Sequence, residues 1–241
     1  MLTDVDILRA WELGEPLGEI GRALCLLGSG FPERSRSELA ELSIGQRDAL
    51  LLGLREKTFG GALRGFAECP ACAQVLVFST TCAALRVSTP SVSWPLSLAV
   101  DDLVLRLRPL NSQDLAAAAA QQDLEAARQE LLARCVLSAQ RGEVSVGELP
   151  ATLYAPVSAA LAEYEPQADV RLTLRCSAAA CGQKWQEVFD IGVYFWTEVA
   201  AQARRLVHEV DALARVYGWR EADILAMSTV RRQQYLSLAG P

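Results

Sequence analysis

The sequence predicts an α+β fold, mostly α-helical, in which helical N- and C-terminal parts flank a small zinc-ribbon-like β module that carries a helical insertion. Three observations predict it. Apolar residues recur at three- and four-residue steps near both ends of the chain, the stripe of an amphipathic helix. Short strand-like runs with turn residues between them replace that stripe from Ala62 onward. Two cysteine pairs, Cys69-Pro-Ala-Cys72 and Cys176-Ser-Ala-Ala-Ala-Cys181, sit at the ends of such runs. The organisation expected is a helical segment over 1–61, the β module over 62–190 with its insertion at 111–165, and a helical segment over 191–241.

Three helices are expected first. Thr3 and Asp6 form a capping arrangement ahead of Ile7, Leu8 and Trp11. Pro16 opens a second helix carrying Ile20, Leu24 and Leu27, closed by Gly28-Ser-Gly30. Ser43-Ile-Gly-Gln46 is a capping box for a third, with Leu50, Leu51 and Leu54 as its apolar face and an end near Thr58-Phe-Gly-Gly61.

In the β module, Val75-Leu-Val-Phe78 follows the first cysteine pair, and a Ser/Thr/Pro-rich connector spans the region around residues 88–95. Leu96 to Val100 and Leu103 to Leu107 then form a hairpin turning at Asp101-Asp102, its second arm burying Leu103, Leu105 and Leu107. In the insertion, Asn111 or Ser112 caps a helix through Ala120, Leu124 to Cys135 forms a second, and residues 150–162 a third. Val170 to Leu174 and Lys184 to Phe189 flank the second cysteine pair as strands.

The two pairs together are a candidate metal site. Cys69, Cys72, Cys176 and Cys181 offer four thiolates, a complete tetrahedral shell for a structural Zn²⁺. The C-x2-C half is specific; the C-x4-C half must bulge to bring both sulfurs round. A disulfide or a set of buried thiols is the competing reading. The odd total of seven cysteines, and an N-terminus without signal-peptide character, point to a reducing cytosol and favour metal. Cys25, Cys82 and Cys135 lack the knuckle setting, and Cys135 falls on an apolar helix face. With 241 residues the chain can bury a core without metal, so zinc would be a local staple.

Other function classes recede on composition. A net charge of −6 and a pI of about 5.0 oppose a phosphate-backbone partner. No window has the roughly 18 apolar residues of a membrane span. His208, the lone histidine, sits among charged neighbours; no phosphate-binding glycine loop, H-E-x-x-H or G-x-S-x-G occurs, and four cysteines would close a zinc shell to substrate. No enzyme is expected.

The last segment opens with the most regular helix. Trp196, Val199, Ala203, Leu206, Val210, Leu213 and Tyr217 repeat in a heptad-like seam that Gly218 terminates, and two short helices follow. The seam packs on the protein's own core or serves association, self-association included. Trp219, Ile224, Leu225 and Tyr235 are the candidates for a partner-binding surface, with completion of the protein's own core as the alternative.

One resemblance spans nearly the whole chain. The stretch from Ser43 through Arg47-Asp48 to Gly60, Cys69-Pro-Ala-Cys72, Leu107-Arg-Pro-Leu-Asn-Ser-Gln-Asp-Leu115, the Cys176 knuckle with Trp185, and Tyr217-Gly-Trp-Arg-Glu-Ala-Asp-Ile-Leu225 occur in the order seen in baseplate proteins of contractile tails. The chain resembles the T-even-type baseplate hub or hub-assembly-chaperone family of phages and contractile injection systems. The resemblance implies a non-enzymatic structural or assembly component, made in the cytoplasm of the producing cell and available for incorporation into the particle. Its partners would be other baseplate, hub, spike or tube proteins. A zinc-ribbon regulatory module that binds nucleic acid is the runner-up.

Overall fold

Four helices form in the first sixty residues of the computed structural model, which describes residues 1–88 and 93–239. α1 (Asp4–Gly14) starts on a reciprocal Thr3/Asp6 capping box, as expected. α2 (Glu19–Gly30) starts later than Pro16 suggests, with Gly18 at its N-cap, and runs through Gly28-Ser-Gly30 rather than ending there. A further helix, α3 (Arg36–Glu41), opens on a Ser35/Glu38 capping box that apolar periodicity alone does not register. α4 (Ile44–Phe59) opens on the Ser43/Gln46 box and stops at Gly60, whose φ of 90° is a conformation side chains avoid.

The middle of the chain departs from expectation in two respects. β1 (Ala62–Glu68) and β2 (Val75–Thr81) form a hairpin around the first cysteine pair, followed by the short α5 (Cys82–Leu85). The connector expected around residues 88–95 lies in part outside the described residues. β3 (Leu96–Val100) and β4 (Leu103–Leu107) pair as predicted and turn at Asp101, with Leu103, Leu105 and Leu107 buried. They do not join the cysteine hairpins. After α6 (Ser112–Ala119) and α7 (Leu124–Cys135), two further strands, β5 (Val136–Arg141) and β6 (Val144–Ser145), complete a four-stranded antiparallel sheet in the order β3-β4-β5-β6. The insertion is therefore αβ rather than helical. With α8 (Tyr154–Tyr164), it encloses a second core of Leu105, Leu107, Leu132, Cys135 and Val157.

β7 (Arg171–Arg175) and β8 (Lys184–Val188) form the second cysteine hairpin. α9 (Ile191–Tyr217) follows, capped by Asp190 and ended by Gly218 in the left-handed conformation, and then α10 (Glu221–Leu225) and α11 (Thr229–Ala239). At 27 residues α9 is about 40 Å long and acts as the spine of the main core. Trp196, Val199, Ala203, Leu206 and Leu213 are buried along it, as the seam predicts, whereas Val210 and Tyr217 are half-buried; Phe195, outside the predicted seam, is buried as well. Gly14 lets α1 approach this spine closely: a Cβ there would lie 2.5 Å from the Trp196 ring.

Buried polar groups join these pieces. Arg55, on α4, pairs with Glu198 of α9 at 2.6 Å and donates to the carbonyls of Gly60 and Ala62, so one guanidinium fixes two helices and the entry to β1. Glu165, just after α8, takes hydrogen bonds from the Ser43 hydroxyl at 2.6 Å and the Gly45 N–H at 3.3 Å, carrying a carboxylate to the positive end of α4. Gln167 bonds Val87 N–H and Leu85 C=O. Arg232 of α11, fully buried, pairs with Glu209 at 3.0 Å and Asp4 at 2.5 Å.

Removing one partner of such a buried set leaves an uncompensated charge, so Arg232→Ala should cost about 3–5 kcal/mol by chemical denaturation. Glu209→Leu added to it should recover part of that loss.

Burial pushes the Asp48 carboxyl up to about 6; Arg47 opposes the shift, and Asp190 and Glu165 add to it. An unfolded aspartate titrates near 3.9, so the folded chain holds this proton more tightly. The resulting stability is present at low pH and lost as pH rises. Relative to Asp48→Asn, the wild-type chain should lose about 3 kcal/mol between pH 4 and 6 and no more above that, measured by denaturation at stepped pH.

Candidate metal centre

Each cysteine pair occupies the turn of its own hairpin. In the first, the Cys69 N–H donates to Gln74 C=O at 3.0 Å and the chain reverses through Ala73, at φ 56°. In the second, the Cys176 N–H donates to Gln183 C=O at 2.8 Å and the chain reverses through Gly182, at φ 63°. The two turns thus end alike. A left-handed residue follows the second cysteine, and the carbonyl after it closes back on the first. The four-residue spacer of the second pair bulges, with the Cys181 N–H on Ala178 C=O at 3.0 Å, and leaves that closure unchanged.

This likeness brings the four predicted sulfurs together. All lie within 4.8 Å of one another, with Cys69 to Cys181 at 3.8 Å and Cys72 to Cys176 at 3.6 Å. A tetrahedral ion about 2.3 Å from each sulfur would space them about 3.8 Å apart. The donor set and its spacing are therefore compatible with one metal ion. Cys69 and Cys176 are buried, Cys181 is half-buried and Cys72 is exposed. Although burial opposes ionisation of Cys69, the Ala71 and Cys72 N–H groups and the neighbouring thiols outweigh it and bring that group down to about 7. In Cys72, Cys176 and Cys181 a backbone N–H favours the thiolate, but burial and the shared thiol hydrogen bonds outweigh it and push those groups up. Cys25, Cys82 and Cys135 lie elsewhere: Cys25 donates to Ala10 C=O, Cys82 is buried beside Arg55, and Cys135 sits in the second core.

The predicted partner residues divide. Trp219 stacks on Tyr217 with centroids 4.5 Å apart, and Tyr235 packs edge-on against Trp219 at 4.8 Å, all three half-buried. Ile224 is fully buried and Leu225 packs on the main core, so these two complete the protein's own interior. His208 is exposed on α9.

Sequence reasoning missed a largely apolar cavity with charged groups in its lining, where α4, β8 and the segment after α8 meet, Arg47, Asp48 and Glu165 among them. Its signal was present in α4. Arg47 stands four residues before Leu51 and seven before Leu54, so the buried stripe itself carries a charge.

Among the described residues, no helix is long and apolar enough to cross a membrane. No curated protein and no solved structure matches the chain. A family model, that of the T4 bacteriophage base plate protein, matches residues 26–196, from within α2 across both cysteine turns to the first turns of α9. That is more than two thirds of the sequence, and the chain belongs to this baseplate family.

Proposed function

We propose that the protein is a non-enzymatic structural or assembly component of the hub region of a contractile-tail baseplate, stapled by one Zn²⁺ and acting through contacts with neighbouring hub, spike or tube subunits. The match over residues 26–196 supports the baseplate part of this reading, because it takes in α4, the insertion and both cysteine turns in order. Zinc suits an all-thiolate tetrahedral set, and when bound it would join the two hairpins without leaving a position open for substrate. The chain's part is to hold the four sulfurs ready: two turns fixed by their own hydrogen bonds leave little to reorganise. For a partner surface, the half-buried stack of Tyr217, Trp219 and Tyr235 is the best candidate, with Val230 and Leu238 of α11 exposed nearby in sequence. No observation favours nucleic-acid binding. The net charge is −6, and Arg55, Arg108, Arg134 and Arg232 are paired with carboxylates.

Purified chain should contain one zinc per molecule. Ser at Cys69, Cys72, Cys176 or Cys181 should abolish it in metal analysis, while Ser at Cys25, Cys82 or Cys135 should leave it. Chelation should raise hydrogen exchange in the two cysteine hairpins and leave α9 protected, since none of the four cysteines is part of the main core around α9. Uniform deprotection would show that the staple is not local.

Tagged chain should co-purify with baseplate subunits from cells producing the particle. Trp219→Ala with Tyr235→Ala should reduce that recovery about tenfold or more if these rings anchor a partner. A loss of thermal stability with recovery unchanged would instead assign them to the protein's own packing.

A further inference from the structure

We infer that the cavity at the N-terminal end of α4 is a pocket for a basic side chain carried on an extended segment of a partner protein. It has a volume of about 410 Å³, within the usual range of small-ligand sites. Ile44, Leu110, Leu161 and Phe189 form apolar walls of the kind that pack the aliphatic stem of lysine or arginine. The charged lining is four carboxylates, Asp48, Glu165, Asp169 and Asp190, against two guanidinium groups, Arg47 and Arg171. Arg47 pairs with Asp48 at 2.7 Å and Arg171 with Asp169 at 2.9 Å, which leaves Glu165 and Asp190 as a surplus of two negative charges. Glu165 is engaged by Ser43 and Gly45, and Asp190 by the Val193 N–H, but each carboxylate keeps further acceptor capacity.

A second feature points the same way. The Arg47 side chain is 7% exposed, and only its Nε is engaged; neither terminal nitrogen has a hydrogen-bond partner among the described residues. The cavity therefore presents guanidinium N–H groups that no protein acceptor engages beside carboxylates with acceptor capacity to spare. Phosphate would satisfy Arg47 but meet the surplus carboxylates, and a bare metal cation would satisfy the carboxylates but leave Arg47 unanswered. A lysine or arginine on a peptide supplies both needs, its head to the carboxylates and a main-chain carbonyl to Arg47. Val188 is 58% exposed and the Arg171 side chain 49%, so this lining reaches the surface where such a segment could enter. The inference rests on the cavity alone and stands or falls separately from the zinc and baseplate readings.

The test uses the full chain, methyl-labelled for NMR, and N-acetyl-arginine methylamide as probe, with the citrulline methylamide as its neutral isostere. The expected result is saturable shifts of the Ile44, Leu110, Leu161 and Val188 methyls with the arginine probe and binding at least about tenfold weaker with citrulline. Asp190→Asn, which keeps an N-capping side chain, and Glu165→Gln should each weaken the arginine probe severalfold. No saturable shifts, equal binding of the two probes, or saturable binding of inorganic phosphate at these methyls in preference to the arginine probe would overturn the proposal.

Discussion

Closure of a long excursion governs this molecule. The chain leaves its main core after Leu85 and returns to it near Val170, and in between it builds a sheet with a separate core. Cys69 and Cys181 are 112 residues apart, and bringing such distant points together costs on the order of 4 kcal/mol in chain entropy. The fold meets that cost at two levels. At the far end, the hairpin turns bring four sulfurs into contact. At the near end, the Tyr194 hydroxyl accepts from the Arg64 N–H and donates to its C=O, locking the free edge of β1 to α9.

The near end also explains why charged groups lie so deep. Helix termini and strand edges expose backbone donors and acceptors, and wherever such an end is buried something must satisfy it. Arg55 answers the carbonyls at Gly60 and Ala62 where α4 hands over to β1. Glu165 answers the start of α4, where the second core abuts the first. Arg108 and Asp114 do the same for α6, the carboxylate taking the Asn111 N–H while held below its ordinary range; burial opposes that shift, and the Arg108 hydrogen bonds and Asn111 N–H outweigh it. These ions sit at junctions between elements, where their directionality fixes relative placement more sharply than apolar contact can.

Local signals in the sequence were reliable where local physics decides. The capping boxes at Thr3 and Ser43, the Asn111 cap and the alternation of Leu103, Leu105 and Leu107 all predict what forms. The four cysteines were legible because two similar turns announce themselves by spacing alone. What escaped depends on distance. β5 follows α7 without a glycine or proline between them, and its partner β4 lies some thirty residues back, so nothing local marks the change from helix to strand. Arg232 sits in the polar run Arg231-Arg232-Gln233-Gln234, which looks solvated; its burial is set by Glu209 and Asp4, 23 and 228 residues away. Ile224 reads equally as a partner contact or as core in the sequence, because nothing local shows which surface of α9 is left for it to cover. The turn at Gly218 folds α10 back onto the spine and fills that place.

The same ion network separates what this chain shares with its family from what lies outside the match. The matched segment begins within α2 and ends in the first turns of α9, leaving α1, most of α9, α10 and α11 on either side of it. Those flanks are not independent tails. Asp4 of α1 and Glu209 of α9 converge on Arg232 of α11, and Gln233 adds a bond to Glu209 at 2.7 Å, so both ends of the chain close into one layer over the spine. That layer carries the aromatic stack, and the matched segment carries the cysteine turns and the α4 cavity. The molecule therefore presents two chemically different surfaces, one aromatic and one acidic, joined by a single helix of about 40 Å.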